Sequence, residues 1–196
     1  MLYGDEEIIA MRVAARNKAK HSIVNKVKID GETYRFGERE ISPYFSMVLP
    51  ESFEELADEY VLLKYPNINR PKIILSSPDT LVNFSFDHLP EKAEELNVRV
   101  GNCKATDKRL HPSYVFFSEG IETTVSGLEV AYYDYRGIAV DADFYCFKLF
   151  ADLPDTGLFG CFNCPIELRD KWEPLVRQMI KTIKSLNNDT EEEKDA

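Results

Sequence analysis

An α+β fold, in the form of an αβα sandwich with an antiparallel sheet between helices and a long C-terminal helix, is what the sequence predicts from three observations. Four β-rich runs at 114–117, 127–135, 141–150 and 158–162 follow one another through turn residues, the spacing of an antiparallel meander. The stretch 167–186 sets Trp172, Leu175, Val176, Met179, Ile180, Ile183 and Leu186 at helical intervals, an apolar stripe for docking on a sheet. Tyr145-Cys-Phe-Lys-Leu-Phe150 is apolar on both alternations, which suits a strand covered on both faces.

The elements follow in chain order. Ile8, Ile9, Met11, Val13 and Ala15 stand among charges over 5–20, a modest amphipathic helix. Two alternating runs in 26–36 meet at Asp30-Gly31, a two-residue hairpin turn, since both positions tolerate positive φ. A short strand over 43–49 stops at Pro50, and Ser52-Phe-Glu-Glu supplies a cap residue and first-turn acids for a short helix. Prolines at 66 and 71 make 65–71 a loop, because they remove donors and extend the residues before them. Strands at 72–76 and 81–87 flank Ser77-Pro78-Asp79, and in the second Val82, Phe84 and Phe86 alternate with Asn83, Ser85 and Asp87 as in a half-buried strand. Ala93, Leu96, Val100, Cys103 and Leu110 recur every three or four residues, predicting a crossing helix over 90–109 that Gly101 weakens. Within the closing helix, Pro174 predicts a kink or restart.

A chain of 196 residues with 44% apolar side chains can bury one ordinary core, assigned to a single domain at 23–186. An N-terminal helical segment at 1–22 precedes it, and an acidic tail without large apolar residues follows at 187–196. The formal charge of −10 argues against a nucleic-acid partner, which calls for clustered Lys and Arg. No run approaches the roughly 20 apolar residues of a membrane span, and the first 20 residues carry charges throughout, so the expected compartment is the cytoplasm and the four cysteines are expected as thiols.

One likeness to a known group emerges from scattered positions. Met47-Val-Leu-Pro50-Glu-Ser-Phe53, Tyr65-Pro66 with Asn69-Arg70-Pro71, Val82-Asn-Phe-Ser-Phe86, Tyr132-Tyr-Asp-Tyr135, and Gly160-x-Phe162-Asn-Cys164 followed by Trp172 together resemble the PsbP-like superfamily. That superfamily includes the photosystem extrinsic protein PsbP, a nuclear Ran-binding release factor and bacterial DcrB-type proteins. Covering about 35–186, the resemblance implies a compact αβα sandwich in proteins that mostly act by binding other proteins, some of them as chaperones. It carries over no catalytic residue, because the matching positions are structural.

Three chemistries compete with simple binding. Cys161 and Cys164 form a Cys-x-x-Cys, but two residues three apart on a strand start on opposite faces, and one pair lacks the second knuckle of a zinc site. Cys164, just before Pro165, stands near a helix start where the dipole lowers a thiol pKa; it is the candidate thiol for an enzyme or redox protein. Asp134, Asp141 and Asp143 could gather a divalent cation, since 141 and 143 share a strand face. The histidines at 21, 88 and 111 are scattered, and neither a nucleophile elbow nor a Gly-rich phosphate loop is present. No cofactor is called for. Tyr132, Tyr133 and Tyr135 cannot all face one core, so any left uncovered would form a patch for a protein partner. The leading expectation is a non-catalytic protein-binding domain, a chaperone or adaptor, of open oligomeric state.

Overall fold

The computed structural model describes residues 22–24, 26–89, 94–138 and 142–186. The helix expected over 5–20, the first residues of that expected from 90, and the acidic tail lie outside the described residues.

Among the described residues the first elements are β1 (Val27–Ile29) and β2 (Glu32–Tyr34), a hairpin pairing Val27 with Tyr34. Its turn residues Asp30 (φ 49°) and Gly31 (φ 92°) are both left-handed, as a two-residue hairpin of the right twist requires. A second hairpin joins β3 (Phe36–Ser42) to β4 (Phe45–Pro50), with a register shift between Glu40 and Ser42. The sequence reading ended its hairpin arm at Phe36 and missed β3. Gly37-Glu-Arg-Glu40 shows no apolar alternation because this strand forms an exposed edge of its sheet.

No helix starts at Ser52. Phe53 is buried, and β5 (Glu54–Glu55) adds a two-residue edge strand beside β6 (Ile73–Ser76). Arg39 holds this corner by donating from Nη1 to the Phe53 carbonyl at 2.7 Å. Helix α1 (Asp58–Lys64) begins only afterwards, leads into the expected loop, and buries none of its residues.

The main sheet has seven strands in the order β5, β6, β7 (Asn83–Leu89), β11 (Gly157–Pro165), β10 (Phe144–Asp152), β9 (Glu129–Gly137) and β8 (Val115–Thr123), all antiparallel. The last four strands of the chain in this sheet form the expected meander. Its final strand returns to the middle beside β7, while α2 (Leu96–Leu110) carries the chain across one face to the far edge. Both faces of the first half of β7 are buried, where the sequence predicts a half-buried strand: Asn83 and Ser85 are interior because they find partners, in Asn163 Oδ1 and Ser76 Oγ for Asn83 and in the Cys161 carbonyl for Ser85, while Asp87 is partly exposed.

Helix α3 (Arg169–Ile180), reached through a 3₁₀ turn at Ile166–Leu168, covers the opposite face. It runs without interruption through Pro174. It also ends six residues before the expected end at Leu186. Thr182 Oγ1 donates to the Met179 carbonyl and accepts the Val48 N–H at 2.8 Å, turning the chain into β12 (Lys184–Ser185), which pairs with β4. The small sheet β12-β4-β3 thereby shares the α3 side of the core, a layer that helical periodicity did not predict.

Two apolar clusters result. The larger runs from Val27 to Ile183 and joins the α3 face of the sheet, α3 itself and the small sheet around Trp172. The smaller lies under α2 and comprises Val100, Ala131, Tyr133, Tyr135, Cys146 and Phe150. This is the α+β sandwich with helices on both faces that the sequence predicts.

Candidate functional site

The tyrosines expected to offer a partner surface are interior: Tyr132, Tyr133 and Tyr135 are exposed by only 6, 0 and 5%. Alternation does split them between faces. Tyr132 stacks on Phe147 beneath α3, with its hydroxyl bonded by Arg177. Tyr133 and Tyr135 lie beneath α2, where the Tyr133 hydroxyl donates to Asp107 Oδ2 at 2.6 Å. Burial, followed by that bond to Asp107, pushes the Tyr133 hydroxyl far above its ordinary pKa, so it stays a donor. As a partner surface this triplet is corrected: each face on which it could show is covered by a helix.

Cys164 is not at a helix cap. It lies within β11 opposite Tyr145, 2% exposed and part of the Trp172 core, and burial raises its thiol pKa well above the ordinary value. A thiol that is neither accessible nor acidified lacks both conditions of reactivity. Cys161 faces the other way, as expected, and there it meets a cysteine that sequence spacing does not single out. Cys146 on β10 brings its Sγ to 3.3 Å from that of Cys161. The hydrogen bond from Cys146 lowers the Cys161 pKa, burial opposes this, and the Lys148 ammonium, directly across the ladder, lowers it further. Cys146, fully enclosed, is raised chiefly by burial. Lys148 Nζ also forms an ion pair with Asp107 Oδ2 at 2.6 Å, and the Cys103 sulfur lies 3.1 Å from the Tyr133 hydroxyl.

Asp134 and Asp143 do not gather. Asp134 is buried beneath α3 and accepts from the Ser118 N–H at 2.8 Å, the Ser118 hydroxyl and the Tyr145 hydroxyl at 2.9 Å. Asp143 instead accepts from Arg136 Nε at 2.8 Å, and Asp141 lies outside the described residues. Among the described residues no three His, Cys, Asp or Glu side chains converge as metal ligands. His88 packs against Tyr44, His111 stacks on Tyr114, and His21 is outside the described residues.

What the fold leaves on the surface lies elsewhere. Helix α1 exposes Tyr60, Leu62 and Leu63, the last by 76%, and in the following loop Ile68 is 91% exposed. Beside them a groove of about 510 Å³ is bounded by Leu56, Val61, Ile68, Pro71 and Ile74, with Glu55, Asp58, Arg70 and Lys72 along it. One sequence signal pointed here. Tyr60-Val-Leu-Leu63 is four consecutive apolar residues, more than one helix stripe can bury, so at least one must face solvent. A second, smaller apolar line follows the free edge of the sheet at Val115, Phe117 and Ile121 of β8.

A seven-stranded antiparallel sheet with α2 on one face and α3 and a small three-stranded sheet on the other defines the architecture. The chain has the PsbP-like fold. Its backbone is similar to the solution structure of cyanobacterial PsbP (CyanoP) from Synechocystis sp. PCC 6803, with a TM-score of 0.55 at 7% identity over 81% of this chain and 96% of that one. It is also similar to a mutant of protein Mog1, with a TM-score of 0.53 at 11% identity over 79% of this chain and 97% of that one. At such identities the likeness is one of fold alone. No family model matches the sequence. No curated protein matches it either. Among the described residues no helix is long and apolar enough to cross a membrane.

Proposed function

We propose that this chain is a non-catalytic protein-binding domain, an adaptor or chaperone, whose docking surface is the groove beside α1. The observation that carries the reading is the uncovered apolar surface of the segment that borders that groove: α1 and the loop after it contribute Asp58, Val61 and Ile68 to its lining and leave Tyr60, Leu62, Leu63 and Ile68 exposed. Large apolar side chains gathered at one place on a surface mark association sites. The groove carries acids and bases in equal number, Glu55 and Asp58 against Arg70 and Lys72, which fits an apolar peptide segment flanked by charges of both signs and gives no field for a phosphate backbone. Further support comes from the resemblance to a superfamily whose members mostly bind proteins.

A photo-crosslinking side chain at Leu63, a second at Phe117 on the β8 edge, and a Leu63→Asp/Ile68→Asp variant test the reading together. The expected result is one polypeptide crosslinked from position 63 and not from 117, with capture of that same polypeptide falling at least about tenfold in the double variant, the loss of a single hot spot. Unchanged capture by the double variant, or crosslinking confined to position 117, would move the site off this groove.

A further inference from the structure

Cys146 and Cys161 are the two thiols that the fold brings into contact, and nothing in the docking surface uses them. They stand on adjacent strands, diagonal in register: Cys146 is opposite Asn163, and Cys161 opposite Lys148. Both side chains face α2, and their sulfurs are 3.3 Å apart, inside van der Waals contact. Cys146 is buried, whereas Cys161 is only partly covered and is the less enclosed residue of the two. Lys148 supplies a positive charge on the same face, held in place by Asp107.

We propose that Cys146 and Cys161 form a reversible dithiol–disulfide site that reacts with small hydroperoxides, with Cys161 as the attacking sulfur and Cys146 as the resolving one. Cys161 suits attack because the Cys146 hydrogen bond and the Lys148 charge favour its thiolate, while Cys146, without comparable access, keeps its proton. In the first step the Cys161 thiolate bonds to the terminal peroxide oxygen. The O–O bond breaks and the departing alkoxide or hydroxide takes up a proton, leaving a sulfenic acid on Cys161. In the second, the Cys146 sulfur attacks the Cys161 sulfur. The S–S bond forms, the S–O bond breaks, and the hydroxide leaves as water with the Cys146 proton. Two thiols and one peroxide thus become one disulfide, one water and one alcohol, or two waters when the oxidant is hydrogen peroxide. The sulfurs need to close by only about 1.3 Å to reach bonding distance. Diagonal neighbours on a sheet are spaced wider than most disulfides span, so the bond is one that a small dithiol reduces readily.

The test uses the full chain, reduced, freed of reductant and treated with one equivalent of hydrogen peroxide, then alkylated and digested without reductant for mass spectrometry. The expected product is a crosslink between the peptides holding Cys146 and Cys161, two hydrogens lighter than the free pair and abolished by dithiothreitol. Cys161→Ser is expected to abolish it, and Cys146→Ser to leave Cys161 as a sulfenic acid captured by dimedone; Cys164→Ser leaves the crosslink intact. Circular dichroism establishes that each variant is folded. Recovery of both cysteines as alkylated thiols from wild-type protein after peroxide overturns the proposal. So does a crosslink that joins Cys103 or Cys164 instead, or dimedone capture at Cys146 in place of Cys161.

Discussion

Lys148 on the interior strand β10 and Asp107 on α2 form an ion pair of 2.6 Å in which both side chains are about 85% covered. The Tyr133 hydroxyl donates to the same Asp107 oxygen. This pair fastens α2 to the sheet at the floor of the smaller core. A covered pair does little for net stability, since desolvation offsets attraction, yet removing one partner leaves a charge without compensation. Asp107→Leu and Lys148→Met should therefore each cost about 2–4 kcal/mol, and the combination Asp107→Leu/Lys148→Met less than the sum of the two single changes. Urea midpoints for the four proteins measure this; strictly additive losses would mean that the two charges do not interact.

His88 should make stability fall in mild acid. Its ring lies against Tyr44 and Phe45, and neither nitrogen has a partner among the described residues. Burial lowers its pKa, nearby Asp87 opposes the shift, and Lys72 adds to it. Because the folded state disfavours the imidazolium, the unfolded chain binds the proton more readily. The His88 contribution is thus complete above the ordinary pKa of about 6.5 and is lost as pH falls from there towards the lowered folded value. Urea midpoints at about pH 7.5 and pH 5 should differ more for the wild type than for His88→Phe. Equal differences would assign the acid sensitivity to other groups.

Trp172, the chain's only tryptophan, is fully buried among Tyr34, Phe162 and Phe53, with ring centroids 5.0, 5.5 and 5.9 Å away. Its indole N–H has no hydrogen-bond partner among the described residues. Trp172→Ala should cost about 3–5 kcal/mol through the cavity it leaves. Trp172→Phe keeps most of the apolar volume and removes a buried donor without an acceptor, so its cost should be about 1–2 kcal/mol. Chemical denaturation followed by far-ultraviolet circular dichroism distinguishes the two. A Phe variant as weak as the Ala variant would show that the indole nitrogen is bonded after all.

The sequence alone determined the elements whose pattern is local. The Asp30-Gly31 turn follows from two residues that accept positive φ, the meander from alternating runs, and α3 from a stripe centred on Trp172. The opposed orientation of Cys161 and Cys164 was legible for the same reason, since strand periodicity is strictly local. Only the tertiary structure decided which features meet. β3 and β12 exist because β4 offers them an edge, and neither segment carries a strand pattern of its own. Tyr132, Tyr133 and Tyr135 became interior once helices covered both faces of β9, while Tyr60, Leu62 and Leu63 stayed outside because α1 packs none of its residues in the core. The partner of Cys161 could not be read from a Cys-x-x-Cys: it is Cys146, fifteen residues back, set by the register of two antiparallel strands. Propensity acts along the chain within a few residues, whereas register and burial are settled by groups far apart in sequence that meet only when the whole core closes.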